Sequence, residues 1–306
     1  MAAAITHYLH AKKVFKQIKK HENMQGLNED AFLWGAQGPD FLYCYRIFSW
    51  QFGGHLRKYG IQLHHETPSK LLRSMRKYYK SSNGNSILLS YIYGFLCHYS
   101  LDRVIHPFVS YGCESLFEQD QSHSRQVYHH MIESALDVII LRSEKGWLPT
   151  EFNLKKTMPK NIEVQTKIAE LYTFLLHDLY QEDFTVKDLL RATKNARTAY
   201  GLLNDRTTYK KPMLEHLEKM GKWGNIISSN IRSISEGPDY DYANTAQDEW
   251  QWPMDSTNVK TDTFFDLFKY SIEESEMLIQ SFLTSKDFTK LTGEIPFIPK
   301  QQNNVM

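Results

Sequence analysis

Apolar positions recur at helical spacing along most of the chain. Ile5, Tyr8, Leu9, Val14, Phe15 and Ile18 fall on one face of an expected helix whose other face carries lysines. Asn28 can cap a short helix through Trp34, and Gly35-Ala36-Gln37-Gly38-Pro39-Asp40 then predicts a tight turn. The glycines of residues 52–66 predict a loop, and Thr67-Pro68 opens a helix to about Ser81. The next helix begins at Ser86 and should stop at His106, because Pro107 has no N–H to continue it. Residues 112–121 predict a polar loop. Ser122 or Ser124 starts a helix to about Glu144 with Val127, Met131, Ala135, Leu136, Ile139 and Ile140 as its core stripe.

The second half keeps this character, with helices expected at about 161–180, 185–203, 207–234 and 261–284. Thr185 and Thr261 are the expected caps, with breaks at 204–205 and 236–238. Residues 237–260 show no period and are rich in Asp, Tyr and Trp, which predicts a long loop on a pocket rim. Residues 301–306 should fray. There is no internal repeat, no strand pair and no strong linker. The expectation is an all-α fold, a single multi-helix bundle over residues 1–306.

Composition narrows the function. Lys+Arg 36 against Asp+Glu 35 leaves a formal net charge of +1, so no basic field is present to hold nucleic acid. Cys44, Cys97 and Cys113 are odd in number and lack CxxC spacing, which predicts reduced thiols and a cytoplasmic protein. The N-terminus lacks a signal-peptide pattern, and no apolar run approaches the roughly 20 residues of a membrane span. Membrane contact, if any, is expected to be peripheral. Of the 13 histidines, 11 fall within residues 1–130, which points to a site built in the first half, with residues 144–306 completing the bundle.

The apolar stretch from Tyr91 to Val109 carries His98, Asp102 and His106 at spacings of four, along one helix face. A buried carboxylate between imidazoles is costly unless a partner neutralises it, and a divalent cation such as zinc would. His129, Glu133 and Asp137 form a second such row beside the next core stripe. A lone His-xxx-Asp pair is also an ordinary surface ion pair. Two pairs bordering apolar stripes, with His106 one turn further, point to more. His7 with Asp40 would be a third pairing, from separate elements. His10, His21 and His123 are expected on the surface, His55 in a loop, and Asp137 in a salt bridge or behind a ligand. One of His64 and His65 should point inward, and His129 shares the Glu133 face better than His130 does. Nucleotide-binding, nucleophile-elbow and HExxH motifs are absent.

Together THYLHAKKV, GAQGPDF, LHHETP, YGFLCHYSLDRVIHPFV and HHMIESALDVIIL, over residues 1–143, resemble the successive ligand segments of the zinc-dependent phospholipase C family. That family is related to bacterial phosphatidylcholine-hydrolysing phospholipases C and to fungal single-strand nucleases. The resemblance implies a helical bundle around two or three zinc ions. His7 would be the first ligand, and Asp40 a ligand or the group acting beside the nucleophilic water. His64, with His65 in reserve, would come next. His98 and a bridging Asp102 would follow, and His106, His129 and Glu133 would hold the remaining ion. Secreted relatives also ligate through an N-terminal tryptophan, which this sequence lacks; with Met1 removed, the Ala2 amine is the expected substitute. The implied function is hydrolysis of a phosphodiester, a small molecule or a phospholipid headgroup. A single-strand nuclease and a non-catalytic metal-binding protein are the alternatives.

Overall fold

A computed structural model describes residues 3–48, 50–51, 53–221, 224–237, 240–253 and 255–298. The expected fraying at 301–306 lies outside them. Among the described residues the α-helices are α1 (Ala4–Ile18), α2 (Glu29–Gly35), α3 (Lys58–His64), α4 (Pro68–Ser81), α5 (Ser86–Gln119) and α6 (Arg125–Lys145). They continue with α7 (Ile162–Tyr180), α8 (Val186–Leu202), α9 (Lys210–Gly221), α10 (Phe264–Phe282) and α11 (Phe288–Thr292). The fold is all-α apart from one small hairpin, β1 (Trp250–Trp252) and β2 (Asp255–Lys260). No helix among the described residues is long and apolar enough to cross a membrane.

Local chemistry sets most helix starts. Asn28 accepts from the Ala31 amide at 2.9 Å, Ser124 caps α6, and Thr185 with Asp188 forms a capping box on α8. The cap of α10 is Thr263, paired with Asp266, and not the expected Thr261. Four further expectations fail. Residues 58–64 form a helix within the predicted loop. The helix expected over 207–234 is confined to α9, followed by a 3-10 turn at Ser228–Asn230. Residues 237–260 contain an antiparallel strand pair, with Trp250 opposite Lys260 and a bulge after Gln251. Finally, α5 does not stop at Pro107 but runs on to Gln119, through most of the predicted 112–121 loop.

Packing explains the last failure. α5 is buried on nearly every side from Leu88 to Cys113, against α1, α2, α6, α7, α10 and β1. Proline forfeits one backbone hydrogen bond, at a cost of about 3 kcal/mol. Phe108 and Val109 are buried just beyond it. Each contributes roughly 1.5–3 kcal/mol of burial, which together offsets that loss. The closest approach is to α2. A Cβ on Gly35 would lie 2.0 Å from the Tyr91 carbonyl oxygen, and one on Gly94 would lie 2.0 Å from that of Phe32. Only hydrogen fits at both crossings. This contact brings the turn after α2, and with it Asp40, onto the stretch of α5 that carries His98 and Asp102.

Candidate metal centre

α5 supplies the centre's spine. The fourfold spacing places His98, Asp102 and His106 one above another, and tertiary packing brings four other segments to them. α1 brings His7, the 3-10 turn Asp40–Cys44 brings Asp40, α3 ends on His64, and α6 brings His129 and Glu133. Their donor atoms fall into three groups, each within 4.8 Å: His7, His98 and Asp102; Asp40, His64 and His98; His106, His129 and Glu133. His7 pairs with Asp102 and not with Asp40.

Asp102 joins the groups. Its Oδ1 lies 3.2 Å from His7 Nε2 and 3.7 Å from His106 Nδ1. Its Oδ2 lies 3.2 Å from His98 Nε2 and 3.9 Å from His64 Nε2. Asp40 Oδ1 is 3.3 Å from His64 Nε2, which is 3.2 Å from His98 Nε2. In the third group Glu133 Oε1 lies 3.3 Å from His129 Nε2 and 3.6 Å from His106 Nε2. Gly38 makes room for this: its φ is +53°, and a Cβ there would sit 2.1 Å from His98 Cδ2.

These separations suit a shared cation. Atoms about 2.0–2.2 Å from one tetrahedral zinc lie about 3.3–3.6 Å apart. Two tautomers are also fixed. His64 Nδ1 donates to the Gly60 carbonyl at 2.6 Å, and His106 Nδ1 donates to the Phe297 carbonyl at 3.0 Å. A carbonyl only accepts, so in the neutral rings both Nε2 atoms present lone pairs to carboxylates. Acceptor facing acceptor in a buried site requires a positive charge between them, a bound cation or a proton on the ring. His7 Nδ1, His98 Nδ1 and Glu133 Oε2 are buried with no hydrogen-bond partner. A cavity of about 20 Å³, enough for one water-sized centre, lies among His7, Asp102, His106 and Glu133. The donor set therefore fits zinc.

Electrostatics agrees in direction. Burial is the largest influence on Asp40 and opposes its ionisation, but the hydrogen bond to His64 and the nearby positive charges together outweigh it and hold the carboxyl at about 2. Burial likewise opposes charge on Asp102, and His98, His106 and His7 overcome it, keeping the carboxyl far below its usual range. Glu133 is lowered by His129 and His106 against burial. Burial alone would depress His106, yet Asp102 and Glu133 push it up to about 9. Burial dominates at His98 and takes it to about 3, so this ring stays neutral.

The remaining candidates separate cleanly. His65 is exposed beside the buried His64. His130 turns away from the centre, with Asn230 Nδ2 3.1 Å from its Nδ1. His21 is exposed, His123 half-buried, and His55 exposed with Glu182 at 2.9 Å. His10 contradicts its surface expectation: it is 0 % exposed, set edge-on to Phe268, because α10 covers that side of α1. The Ala2 amine lies outside the described residues.

Two residues that sequence reasoning missed support the centre. Arg232 pairs with Asp137, which is 0 % exposed and also accepts from the Ile5 and Thr6 amides and the Thr6 hydroxyl. This fixes the start of α1 one turn from His7. The second is Phe297, whose carbonyl accepts from His106 Nδ1. Neither had a sequence signal, since each acts on a residue more than 90 positions away. Access is from the third group: the His129 side chain is 27 % exposed, against 1 % for His98.

The family described as zinc dependent phospholipase C matches residues 6–186, a span that contains every one of these candidate ligands. No curated protein and no solved structure matches the chain.

Proposed function

The chain belongs to the zinc-dependent phospholipase C family, and from that membership we propose that it hydrolyses a phosphodiester of the phospholipid-headgroup type. His7, Asp40, His64, His98, Asp102, His106, His129 and Glu133 are the proposed zinc ligands, for two or three ions, and the proposed setting is the cytoplasm. The observation that carries the reading is Asp102, whose two oxygens face histidines of all three groups.

Zinc, when bound, lowers the pKa of water towards neutrality and neutralises phosphate oxygens. The chain's own residues do the rest. Asp40 stays a carboxylate at neutral pH and can take a proton from the attacking water at a carboxylate oxygen. The P–O bond to the leaving alcohol breaks as the new P–O bond forms, and the proton ends on the alcohol. The carbonyls of Gly60 and Phe297 keep the His64 and His106 rings from turning, so the ligand geometry is set before substrate arrives. The Phe297 ring excludes water from the His64 and His98 side. His129 and Glu133, at the open edge, are where a phosphate enters.

The test is Asp102→Asn. Metal content by mass spectrometry and turnover of phosphatidylcholine, a chromogenic phosphodiester and single-stranded DNA should be measured on both proteins. Wild type is expected to hold zinc and cleave the lipid or the small diester, and the variant to lose zinc and turnover together. Zinc-loaded wild type that cleaves none of the three would refute the assignment in favour of a non-catalytic metal protein; cleavage of DNA alone would favour the nuclease reading.

A further inference from the structure

Residues 293–298 lie beyond the region matched to the family, yet they reach the centre. Three side chains on one face of α5, spaced four and then three apart, hold this segment there. Tyr99 donates to the Ile295 carbonyl at 2.7 Å, and Arg103 donates to that of Thr292 at 3.1 Å. His106 Nδ1 donates to that of Phe297 at 3.0 Å. Arg103 is itself paired with Glu274 of α10, so its guanidinium is held from both sides. Phe297 is 1 % exposed. Its ring meets His64 edge-on at 5.7 Å and lies 6.1 Å from His98 and 4.6 Å from Tyr99.

One residue thus meets histidines that span all three groups. Its carbonyl puts the His106 proton on Nδ1 and turns the Nε2 lone pair towards Glu133. Asp102 Oδ1, 3.7 Å from the same Nδ1, is the other acceptor within reach. Without the carbonyl the ring would swing towards Asp102 and withdraw Nε2 from Glu133 and His129. The ring of Phe297 meanwhile keeps water off His64 and His98, whose lone pairs are more available when desolvated and fixed.

We infer that residues 293–298 are a strap that completes the metal centre, with Phe297 as a positioning residue that selects the His106 tautomer and roofs His64 and His98. The inference rests on the ligand assignment proposed above, but it is read from ligand geometry and not from turnover.

The direct test uses the full chain with isotopically labelled histidine ring nitrogens and cadmium as the NMR-active probe metal. His106 is expected to carry its proton on Nδ1 and to couple to cadmium through Nε2; coupling through Nδ1, or a protonated Nε2, would overturn the inference. The companion measurement is zinc titration of a chain ending at Gly293 and of Phe297→Leu in the full chain. The shortened chain should bind one zinc roughly 10–100-fold more weakly, as when other outer partners of a ligand are lost. Phe297→Leu keeps the carbonyl and should retain that site. A shortened chain with native circular dichroism and unchanged zinc affinity would overturn the strap. Labelled protein that shows the expected tautomer and coupling but hydrolyses nothing would refute the enzymatic reading and leave the strap standing.

Discussion

Replacing Asp137 by asparagine changes one buried atom and should cost the protein several kcal/mol. The carboxylate is 0 % exposed. Its Oδ1 accepts from the Thr6 amide and hydroxyl, both at 2.7 Å. Its Oδ2 accepts from the Ile5 amide at 3.1 Å and from Arg232 Nε and Nη2 at 2.8 and 2.6 Å. The asparagine oxygen can keep the two Thr6 bonds. Its NH2 then faces three donors, and the Arg232 side chain, only 4 % exposed, keeps its charge without a counter-ion. Breaking one side of a buried pair costs about 3–5 kcal/mol. With a urea slope of about 2–3 kcal/mol/M, the unfolding midpoint should fall by roughly 1–2.5 M. The measurement is equilibrium urea unfolding in EDTA, so that zinc binding does not enter. Adding Arg232→Met should recover much of the loss, because the stranded charge is gone; the weakened cap on α1 remains, worth about 1 kcal/mol. A single variant within about 1 kcal/mol of wild type, or a double variant no better than the single one, would refute the claim that this pair anchors α1.

Three further outcomes follow from the same geometry. Gly38→Ala should lower the melting temperature and weaken zinc binding, since its φ is +53° and its Cβ would meet the His98 ring at 2.1 Å; Gly26→Ala, where a Cβ meets nothing within 4 Å, is the control, and equal effects at the two sites would sink the argument. The metal-free protein should be most stable near pH 6.5. His10 and His98, both lowered to about 3 chiefly by burial, lose stability as pH falls below their ordinary 6.5, and Asp40, held at about 2, adds to that loss below 3.8. His106, raised to about 9, loses its contribution as pH climbs from 6.5 through 9, so thermal melts in EDTA that rise steadily to pH 9 would contradict this. Zinc affinity should fall on acidification from pH 7 to 5, because protons compete for the imidazoles; calorimetry at the two pH values reads it, and equal affinities would exclude histidine ligation.

How much of this was legible in sequence depended on the range of the interaction. Helices, several of their caps and the row His98, Asp102 and His106 follow from neighbours three and four residues apart, whose relative placement the backbone fixes by itself. Local reading left His64 and His65 open, because α3, which buries the one and exposes the other, was itself read as loop. The same local rules misjudged Pro107, because burial around α5 outweighed one lost hydrogen bond, and misjudged His10, because α10 lies on α1. The His7–Asp102 and Asp40–His64 pairings, the Arg232 anchor under α1 and the Phe297 carbonyl on His106 all join residues from 24 to 191 positions apart. Contacts of that kind depend on how whole helices stack, and stacking is settled by side-chain volume and close backbone approach across the core, as at Gly35 and Gly94.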